Sequence, residues 1–237
     1  MGKNLIQQRR GKGSSTFRAR SFNAEGPAKH ISYSKDSHSG KVVDIIHSYM
    51  HSGPLMQIKY DNQEAVLIQA PEGVHVGKDV VSGPKAPIEI GNSLPLKDIP
   101  EGTDIYNIES MPGDGGKFVR SAGSSARITS KFPDKITVML PSKKERSFSP
   151  ECRASIGIIA GSGRLEKPFL KAGNKFHRMK ARNKYYPQVQ GVSMNAVAHP
   201  FGSKSSRTKG RPTQASRNAP PGRKVGKIAP RRTGHRR

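Results

Sequence analysis

The sequence lacks several features that would assign it to other classes of protein. It has no tryptophan and a single cysteine, Cys152, among 237 residues. One cysteine excludes a disulfide within the chain and a cysteine-rich zinc site, and it indicates a reducing, intracellular compartment. No stretch reaches the roughly 18 apolar residues that a membrane-spanning helix needs. The first residues contain no apolar segment of the secretory-signal type, so we expect neither a membrane span nor secretion.

Acidic residues are absent from both ends of the sequence. Residues 1–24 carry six Lys and Arg side chains and residues 167–237 carry 19, with no Asp or Glu in either range. Residues 25–166 hold the other 17 basic residues and all 17 acidic ones, although the whole chain has a formal charge of +25. Such a concentrated surplus indicates a polyanionic partner, with nucleic acid as the leading candidate. The sequence therefore predicts a neutral middle with two cationic ends.

Apolar residues are also scarce, at 32% of the chain, and they are scarcest in Gly202–Arg237. The apolar residues of this segment are Ala215, Ala219, Val225, Ile228 and Ala229. Because so little apolar surface cannot offset the entropy of ordering, we expect the segment to have no fold in isolation and to order on an anionic partner. The alternative is a flexible solubilising tail, which has no need to exclude every acid.

The neutral middle has the pattern of a mainly β protein. The 25 Gly and 18 Pro of the whole chain are scattered along it and interrupt helical windows. Apolar, β-branched or alternating residues between turn signals predict short strands in six segments, namely Lys41–Met50, Leu55–Tyr60, Ala65–Gln69, Ala126–Phe132, Lys135–Leu140 and Glu145–Ser149. Their close spacing favours two small antiparallel barrels. One helix is predicted at Asn174–Tyr186, where Phe176 and Met179 are three residues apart.

No motif predicts a phosphate-binding loop or a metal site. No Gly-Lys pair is followed by Ser or Thr, so a Walker-type loop is absent from the sequence. The glycine-rich segments Gly113–Gly116 and Gly161–Gly163 are expected to be turns. His47 and His51 have the spacing of a helical metal pair, but they fall in a predicted strand and turn, so neither is expected to bind metal.

No catalytic residue is predicted either. Asp98, Glu101 and Asp104 lie beside Pro100 and Gly102, which favours turns over an acid–base pair. His199 stands out because it lies in the block Gly191–Gly202, GVSMNAVAHPFG, within a segment otherwise rich in Lys, Arg, Gly, Ser and Pro. Its imidazole can hydrogen-bond RNA, stack on a base or act as a general base. No second catalytic group is visible near it in the sequence, which favours RNA contact or local structure.

Several blocks, in order along most of the chain, resemble the universal large-subunit ribosomal protein L-two family. They are Gly91–Leu96 with Ile99, Pro100 and Gly102; Asn107–Glu109; Pro112, Gly113, Gly115 and Gly116; Arg120–Gly123; Cys152–Ala154 with Ile156 and Gly157; Lys171–Gly173; and Gly191–Asn195 with Val197, His199 and Pro200. His199 matches the histidine for which this family is noted. Ala198 stands where an acidic residue is usual, Phe201 stands where bacterial members have a second histidine, and Ser203-Lys204 replaces glycines, which resembles an archaeal-type member.

The resemblance implies a fold class and four segments. The class is mainly β, with two small antiparallel barrels, the first oligonucleotide-binding-like and the second Src-homology-three-like, and long irregular basic extensions at both ends. The expected segments are a basic N-terminal arm at 1–30, the first barrel at 31–112, the second barrel at 113–182 and a basic C-terminal extension at 183–237.

The resemblance also implies partners and a location. A structural, non-enzymatic constituent of the large ribosomal subunit is expected, which binds large-subunit rRNA, contacts neighbouring ribosomal proteins, supports association with the small ribosomal subunit and lies near the peptidyl transferase region. The expected cellular location of the protein is the cytoplasm, where it is bound to the ribosome. We expect no cofactor, no membrane partner and no homo-oligomer, and leave open Mg²⁺ ions that bridge protein and rRNA.

Basic and polar residues of the two ends, with one arginine from the middle, are the predicted rRNA-binding residues. They are Lys3, Arg9, Arg10, Lys12, Arg18, Arg20, Arg120, Lys171, Lys175, His177, Arg178, Lys180, Arg182, Lys184, Asn195, His199, Lys204, Arg207, Lys209, Arg211, Arg217, Arg223 and Lys224. The aromatic side chains that can stack on unpaired bases or pack against protein are Tyr185, Tyr186, His177 and Phe201.

Two alternative functions share some of these features. A general basic nucleic-acid-binding or compaction protein has the same charge pattern but gives no reason for the block Gly191–Gly202. An RNA-acting enzyme that uses His199 explains the histidine but needs a second catalytic group.

Overall fold

The structure is a computed structural model that describes residues 2–34, 36–203 and 212–231. The chain divides into two compact units. The sheet unit is Ser21–Pro168, and the arm unit combines Met1–Arg20 with Phe169–Arg237. The chain thus leaves the arm unit after its first residues and returns to it for its last third.

Ten strands of the sheet unit form one hydrogen-bonded sheet. They are β1 (His38–Ile46), β2 (Leu55–Tyr60), β3 (Ala65–Gln69), β4 (Asp79–Ser82), β5 (Ser93–Pro95), β6 (Asp104–Tyr106), β7 (Ala126–Lys131), β8 (Ile136–Met139), β9 (Glu145–Phe148) and β10 (Arg153–Ile156). Their order is β3-β2-β1-β4-β5-β10-β6-β7-β8-β9. Neighbours pair antiparallel except β4 and β5, which pair in parallel. The mainly β class is confirmed.

Alternation of apolar residues determines which side of each strand is buried. In β2, Met56, Ile58 and Tyr60 are buried, while Lys59 is exposed between them. In β8, Ile136 and Val138 are buried and Met139 is exposed. Successive side chains of a strand point to opposite faces, so this period of two selects one face for the core.

The buried apolar residues form two clusters that divide the sheet between its two ends. One cluster joins β1–β4 and includes Val42, Met56 and Ile58. The other joins β5–β10 and includes Ile128 and Val138. The division is not complete, because Tyr106 of β6 packs in the cluster of β1–β4. The two-barrel architecture and its boundaries at 31–112 and 113–182 stay a prediction.

Most predicted strands have the expected positions. Leu55–Tyr60 and Ala65–Gln69 are β2 and β3 to the residue. The predicted strand Lys41–Met50 is displaced, because β1 begins at His38 and ends at Ile46. Residues 47–50 turn, and His47 and His51 therefore lie in a loop. Asp104, expected in a turn, begins β6 and pairs with Arg127 across 3.3 Å.

A buried ion pair lies between two segments of the sheet unit. The guanidinium of Arg153 donates to Glu109 Oε1, with Nη2 at 2.8 Å, and to the Ile31 carbonyl through Nη1, also at 2.8 Å. Backbone N–H groups of Gly113 and Gly115 donate to the same carboxylate. Hydrogen bonds to the ionised form lower the pKa of Glu109 against the opposing effect of burial. The glycine-rich turn therefore wraps a carboxylate of the protein itself.

His30 is buried beside this pair. Its Nε2 lies 2.7 Å from the Asn107 carbonyl oxygen, so Nε2 carries the proton and donates. Its Nδ1 is buried and has no hydrogen-bond partner among the residues that the structure describes. Burial first, and then the positive charge of Arg153, lower the pKa of His30 to about 4. His30 is thus a neutral core residue at neutral pH.

The arm unit contains two helices and a two-stranded ladder. They are α1 (Ile6–Gly11), α2 (Ala172–Ala181), β11 (Gln214–Ala215) and β12 (Lys227–Ile228), and the two strands pair in parallel. The predicted helix Asn174–Tyr186 starts and ends earlier in the structure. Asn183 adopts the left-handed conformation, with φ 49°, and the Lys184 amide bonds the Met179 carbonyl, which ends the helix.

The described part of the C-terminal segment differs from the expectation that Gly202–Arg237 has no fold of its own. Val225 is fully buried and Ala215 is 7% exposed. Leu5, Phe201 and Val225 form a small cluster with Val192 packed against it. The composition of the segment alone misses this core, because its other members lie elsewhere in the chain.

The helices of the described residues are too short and too polar to cross a bilayer.

Candidate nucleic-acid interface

The arm unit carries most of the charge of the molecule. It holds 24 of the 42 Lys and Arg residues and none of the 17 acidic residues. The six ion pairs formed by described residues, including Arg153–Glu109, all lie within the sheet unit. The arm unit therefore presents a cationic surface with no carboxylate of its own to neutralise it.

The N-terminal segment runs along the C-terminal part of the arm unit. The backbone N–H of Lys3 donates to the Val197 carbonyl at 2.7 Å. Leu5 is buried against Phe201 and Val225. Helix α1 follows directly, and its first turn is closed by Gln8, whose Oε1 accepts from the Leu5 N–H at 2.9 Å.

A second set of contacts fixes the chain after α1. The side-chain amide of Asn183 donates to the carbonyls of Ser15 and Arg18, each at 2.6 Å. Phe17 and Tyr185 lie with their ring centroids 6.2 Å apart. The residue that ends α2 therefore also holds the N-terminal segment.

Two open cavities flank this N-terminal segment. One, of about 500 Å³, is lined by three of the predicted rRNA-binding residues, Lys3, Arg9 and Lys12. The other, of about 590 Å³, is lined by Lys3, Gln8 and the loop around His199. Both have the size of ordinary ligand cavities, and the first is rich in cationic side chains suited to phosphate.

His199 is held by its own loop. Its backbone N–H donates to the Asn195 carbonyl at 3.1 Å, and its carbonyl accepts from Gly202 at 2.9 Å. The ring nitrogen Nδ1 accepts from the backbone N–H of Phe201 at 3.1 Å, and the two rings lie 5.0 Å apart. Burial lowers the pKa of His199.

Most of the predicted rRNA-binding residues that the structure describes are exposed on the arm unit. Those with exposed side chains are Lys3, Arg9, Arg10, Lys12, Arg18, Lys171, Lys175, His177, Lys180, Lys184, Asn195 and Arg217. Those with half-buried side chains are Arg20, Arg178, Arg182, His199, Arg223 and Lys224. Lys204, Arg207, Lys209 and Arg211 lie outside the described residues.

Arg120 differs from the other predicted residues. It belongs to the sheet unit, and its guanidinium donates to the Ala28 carbonyl at 2.6 Å and to the Gly116 carbonyl at 3.2 Å. Burial lowers its pKa. These contacts give Arg120 a structural role, and its assignment to RNA binding stays a prediction.

The aromatic candidates for base stacking have different environments. Phe201 is 6% exposed in the small cluster of the arm unit, so it packs against protein. Tyr185 and His177 are exposed. Tyr186 is half-buried, with Lys175 Nζ 5.3 Å from its ring centroid. The structure leaves Tyr185 and His177 as the accessible members of this set.

Sequence reasoning missed the residues that shape the His199 loop. Leu5, Gln8 and Val197 hold the N-terminal segment against it. One signal was present, since Leu5 and Ile6 are an isolated apolar pair in a basic arm. The described residues contain no group of three or more His, Cys, Asp and Glu side chains that could hold a metal ion.

A mainly β scaffold joined to an acid-free basic unit is the arrangement typical of nucleic-acid-binding proteins. Residues 89–219 match the family model described as Ribosomal Proteins L2, C-terminal domain. The chain belongs to this ribosomal protein family, and the sequence-based identification is confirmed.

Curated relatives match over the whole chain. The Large ribosomal subunit protein uL2 of Methanothermobacter thermautotrophicus is 51% identical over 241 residues, which cover 100% of both chains. The protein of the same name from Archaeoglobus fulgidus is 48% identical, again over 100% of both chains. That from Natronomonas pharaonis is 49% identical over 99% of this chain and 97% of the relative. The relatives agree with the archaeal-type features of the sequence.

Proposed function

We propose that this protein is a structural constituent of the large ribosomal subunit and that it binds large-subunit rRNA through the arm unit. The observation that carries the proposal is the separation of charge between the two units. The arm unit has 24 basic and no acidic residues, whereas the sheet unit has 18 basic and 17 acidic residues. The names of the full-length relatives support the ribosomal assignment.

The arm unit binds by neutralising phosphates. Each Lys or Arg that contacts a phosphate displaces condensed counterions. In a plot of log K against the logarithm of the salt concentration, each contact therefore makes the slope more negative by roughly 0.7 to 0.9. Arginines such as Arg9 add bidentate contacts, and lysines such as Lys3 act as point charges. The sheet unit is close to neutral, with 18 basic and 17 acidic residues, and contributes little to this electrostatic term.

The finer assignments rest on family membership and the charge pattern. In this proposal the protein works in the cytoplasm on the ribosome, contacts neighbouring ribosomal proteins, supports association with the small subunit, and places the His199 loop near the peptidyl transferase region. It acts without a catalytic residue or resident cofactor, and the predicted rRNA-binding residues of the arm unit make the contacts.

Sedimentation of an epitope-tagged full chain tests the proposal. Most of the chain should sediment with large subunits in a sucrose gradient at moderate salt, and crosslinking should recover large-subunit rRNA. Recovery as free protein, or crosslinks spread over unrelated RNAs and DNA, would favour a general nucleic-acid-binding protein instead. As a test of the enzymatic alternative, purified protein should produce no turnover of rRNA fragments.

A further inference from the structure

The backbone conformation of Gly191 does not explain why a glycine stands at this position. Its contact with the ring of His199 does. A Cβ placed on Gly191 would come within 2.7 Å of three ring atoms of His199, namely Cε1, Nδ1 and Nε2. Three ring atoms at similar distances place a face of the imidazole against the position that a Gly191 Cβ would occupy. A side chain at position 191 would therefore displace the His199 ring from the place that it occupies beside glycine.

The second constraint on the imidazole is a hydrogen bond. The Phe201 N–H donates to Nδ1, so in the neutral ring Nδ1 is the acceptor and the proton sits on Nε2. Burial lowers the pKa of His199, which favours the neutral ring. Phe201 itself is anchored in the cluster with Leu5 and Val225, so the donor is held in place.

The remaining ring nitrogen is available. Nε2 has no hydrogen-bond partner within the described ranges and is not among their buried unpaired polar atoms. His199 lines the cavity of about 590 Å³ beside Lys3 and Asn4. The loop offers one N–H donor of fixed direction next to a cationic side chain.

We propose that Gly191 and the Phe201 amide are positioning groups that present His199 Nε2–H as a single donor to a hydrogen-bond acceptor of RNA. The acceptor class is a phosphate oxygen, a ribose hydroxyl or an unprotonated base atom. This inference rests on the proposed function, because RNA is the partner. His199 is the contacting residue, and Gly191 acts through it.

A double-mutant cycle on the full chain tests this positioning role. The readout is binding to large-subunit rRNA at fixed salt. Loss of one hydrogen bond should weaken binding about 3- to 10-fold, for His199→Ala and equally for Gly191→Ala. The double variant should lose no more than either single variant, because the Gly191→Ala methyl meets no ring once His199 is gone. Additive losses, or no loss in the single variants, would overturn the proposal.

Matched controls separate this effect from general damage. Ser142→Ala alters an exposed side chain of the sheet unit, outside the proposed interface, and should leave binding unchanged. His199→Gln places an amide N–H near the Nε2 position and should recover part of the affinity, whereas His199→Asn places it near Nδ1 and should not. Equal behaviour of Gln and Asn would contradict a donor at Nε2.

A spectroscopic measurement reports positioning without RNA. In the full chain with nitrogen-15-labelled histidine, the His199 ring should give a pyridine-type nitrogen at Nδ1 and a pyrrole-type nitrogen at Nε2. In Gly191→Ala this pattern should shift toward tautomer averaging, and an unchanged pattern would reject the positioning role. Absence of specific rRNA binding by the wild-type chain would instead reject the proposed function itself.

Discussion

At the scale of single residues, the most consequential feature of the sheet unit is the buried charge of Arg153. Its side chain is 6% exposed and that of its partner Glu109 is fully buried. Removal of one partner leaves the other charge unpaired in a low-dielectric environment, which is costly. Both residues lie in blocks that the sequence analysis singled out, yet only the fold brings them together.

The first prediction follows from this pair. Glu109→Gln should destabilise the full chain by about 3–5 kcal/mol, because it leaves the guanidinium buried without a counter-charge. The measurement is urea unfolding followed by circular dichroism. Glu151→Gln is the control, since the Lys97–Glu151 pair is about half exposed and should contribute little. Similar decreases in the free energy of unfolding of both variants would show that burial of the Arg153–Glu109 pair adds nothing to its contribution.

The second prediction concerns acid. The pKa of His30 is lowered to about 4 in the folded chain, against about 6.5 when unfolded. The unfolded chain therefore binds more protons between these values, so this contribution to stability is complete above pH 6.5 and declines as the pH falls toward 4, by roughly 3 kcal/mol. The lowered pKa of Glu109 adds a further loss at lower pH, in the same direction.

Urea unfolding at a series of pH values checks this expectation. His30→Gln keeps an N–H donor near the Asn107 carbonyl but cannot titrate, so its stability should change much less between pH 6.5 and pH 4. A wild-type chain whose stability is flat over that range would show that His30 is not held neutral.

At the scale of elements, α2 is the clearest basic surface. Lys175, Arg178 and Lys180 lie within one ten-residue helix that has no acidic residue. Lys175 and Lys180 are exposed and Arg178 is half-buried. A helix with such a composition has few favourable contacts within itself, and its charges suit an external polyanion.

The third prediction replaces these three cations. The combined substitutions Lys175→Gln, Arg178→Gln and Lys180→Gln should lower the magnitude of the salt slope for rRNA binding by about 2–3, because each phosphate contact contributes roughly 0.7 to 0.9. Glutamine has a helix propensity close to that of Lys and Arg, so α2 should persist. Filter binding over a salt series gives the slope.

A control set makes the same charge change on the sheet unit. Lys59, Lys144 and Arg164 are exposed there, and their replacement by Gln should change the slope much less. An equal effect from both sets would mean that net charge, and not the arm unit, determines binding.

Some elements of the fold could be predicted from the sequence and others could not. Alternation located β2, where Met56, Ile58 and Tyr60 are buried, and the apolar run of Ala65–Gln69 located β3. The end of β1 was predicted four residues too late, because Tyr49 and Met50 continue the apolar composition into a turn. The basic residues of the interface were predictable from charge, whereas the packing of Leu5 against Val225 was not, because it joins segments 220 residues apart.

At the scale of the whole molecule, the two units depend on different parts of the chain. Among the described residues, the two apolar clusters of the sheet unit draw on positions from Ile31 to Ile159. The cluster of the arm unit needs Val225 from the C-terminal segment. The units should therefore respond differently to truncation.

The fourth prediction is that deletion of residues 203–237 leaves the cooperative melting of the sheet unit largely intact while it weakens rRNA binding and reduces the salt slope. Thermal melting and filter binding of the same preparation measure both effects. Loss of the melting transition would mean that the sheet unit extends into the deleted segment. Limited proteolysis should also show faster cleavage near Leu5, which loses its contact with Val225.

The pairing of the first residues with the last ones sets an order of events during biosynthesis. Leu5 leaves the ribosome early, but Phe201 and Val225 are polymerised near the end. At roughly 5–20 residues per second, that interval is on the order of ten to forty seconds. Throughout it the nascent N-terminus carries exposed cations without the packing partners of Leu5, so an anionic ligand can reach this stretch before the remainder of its own unit exists.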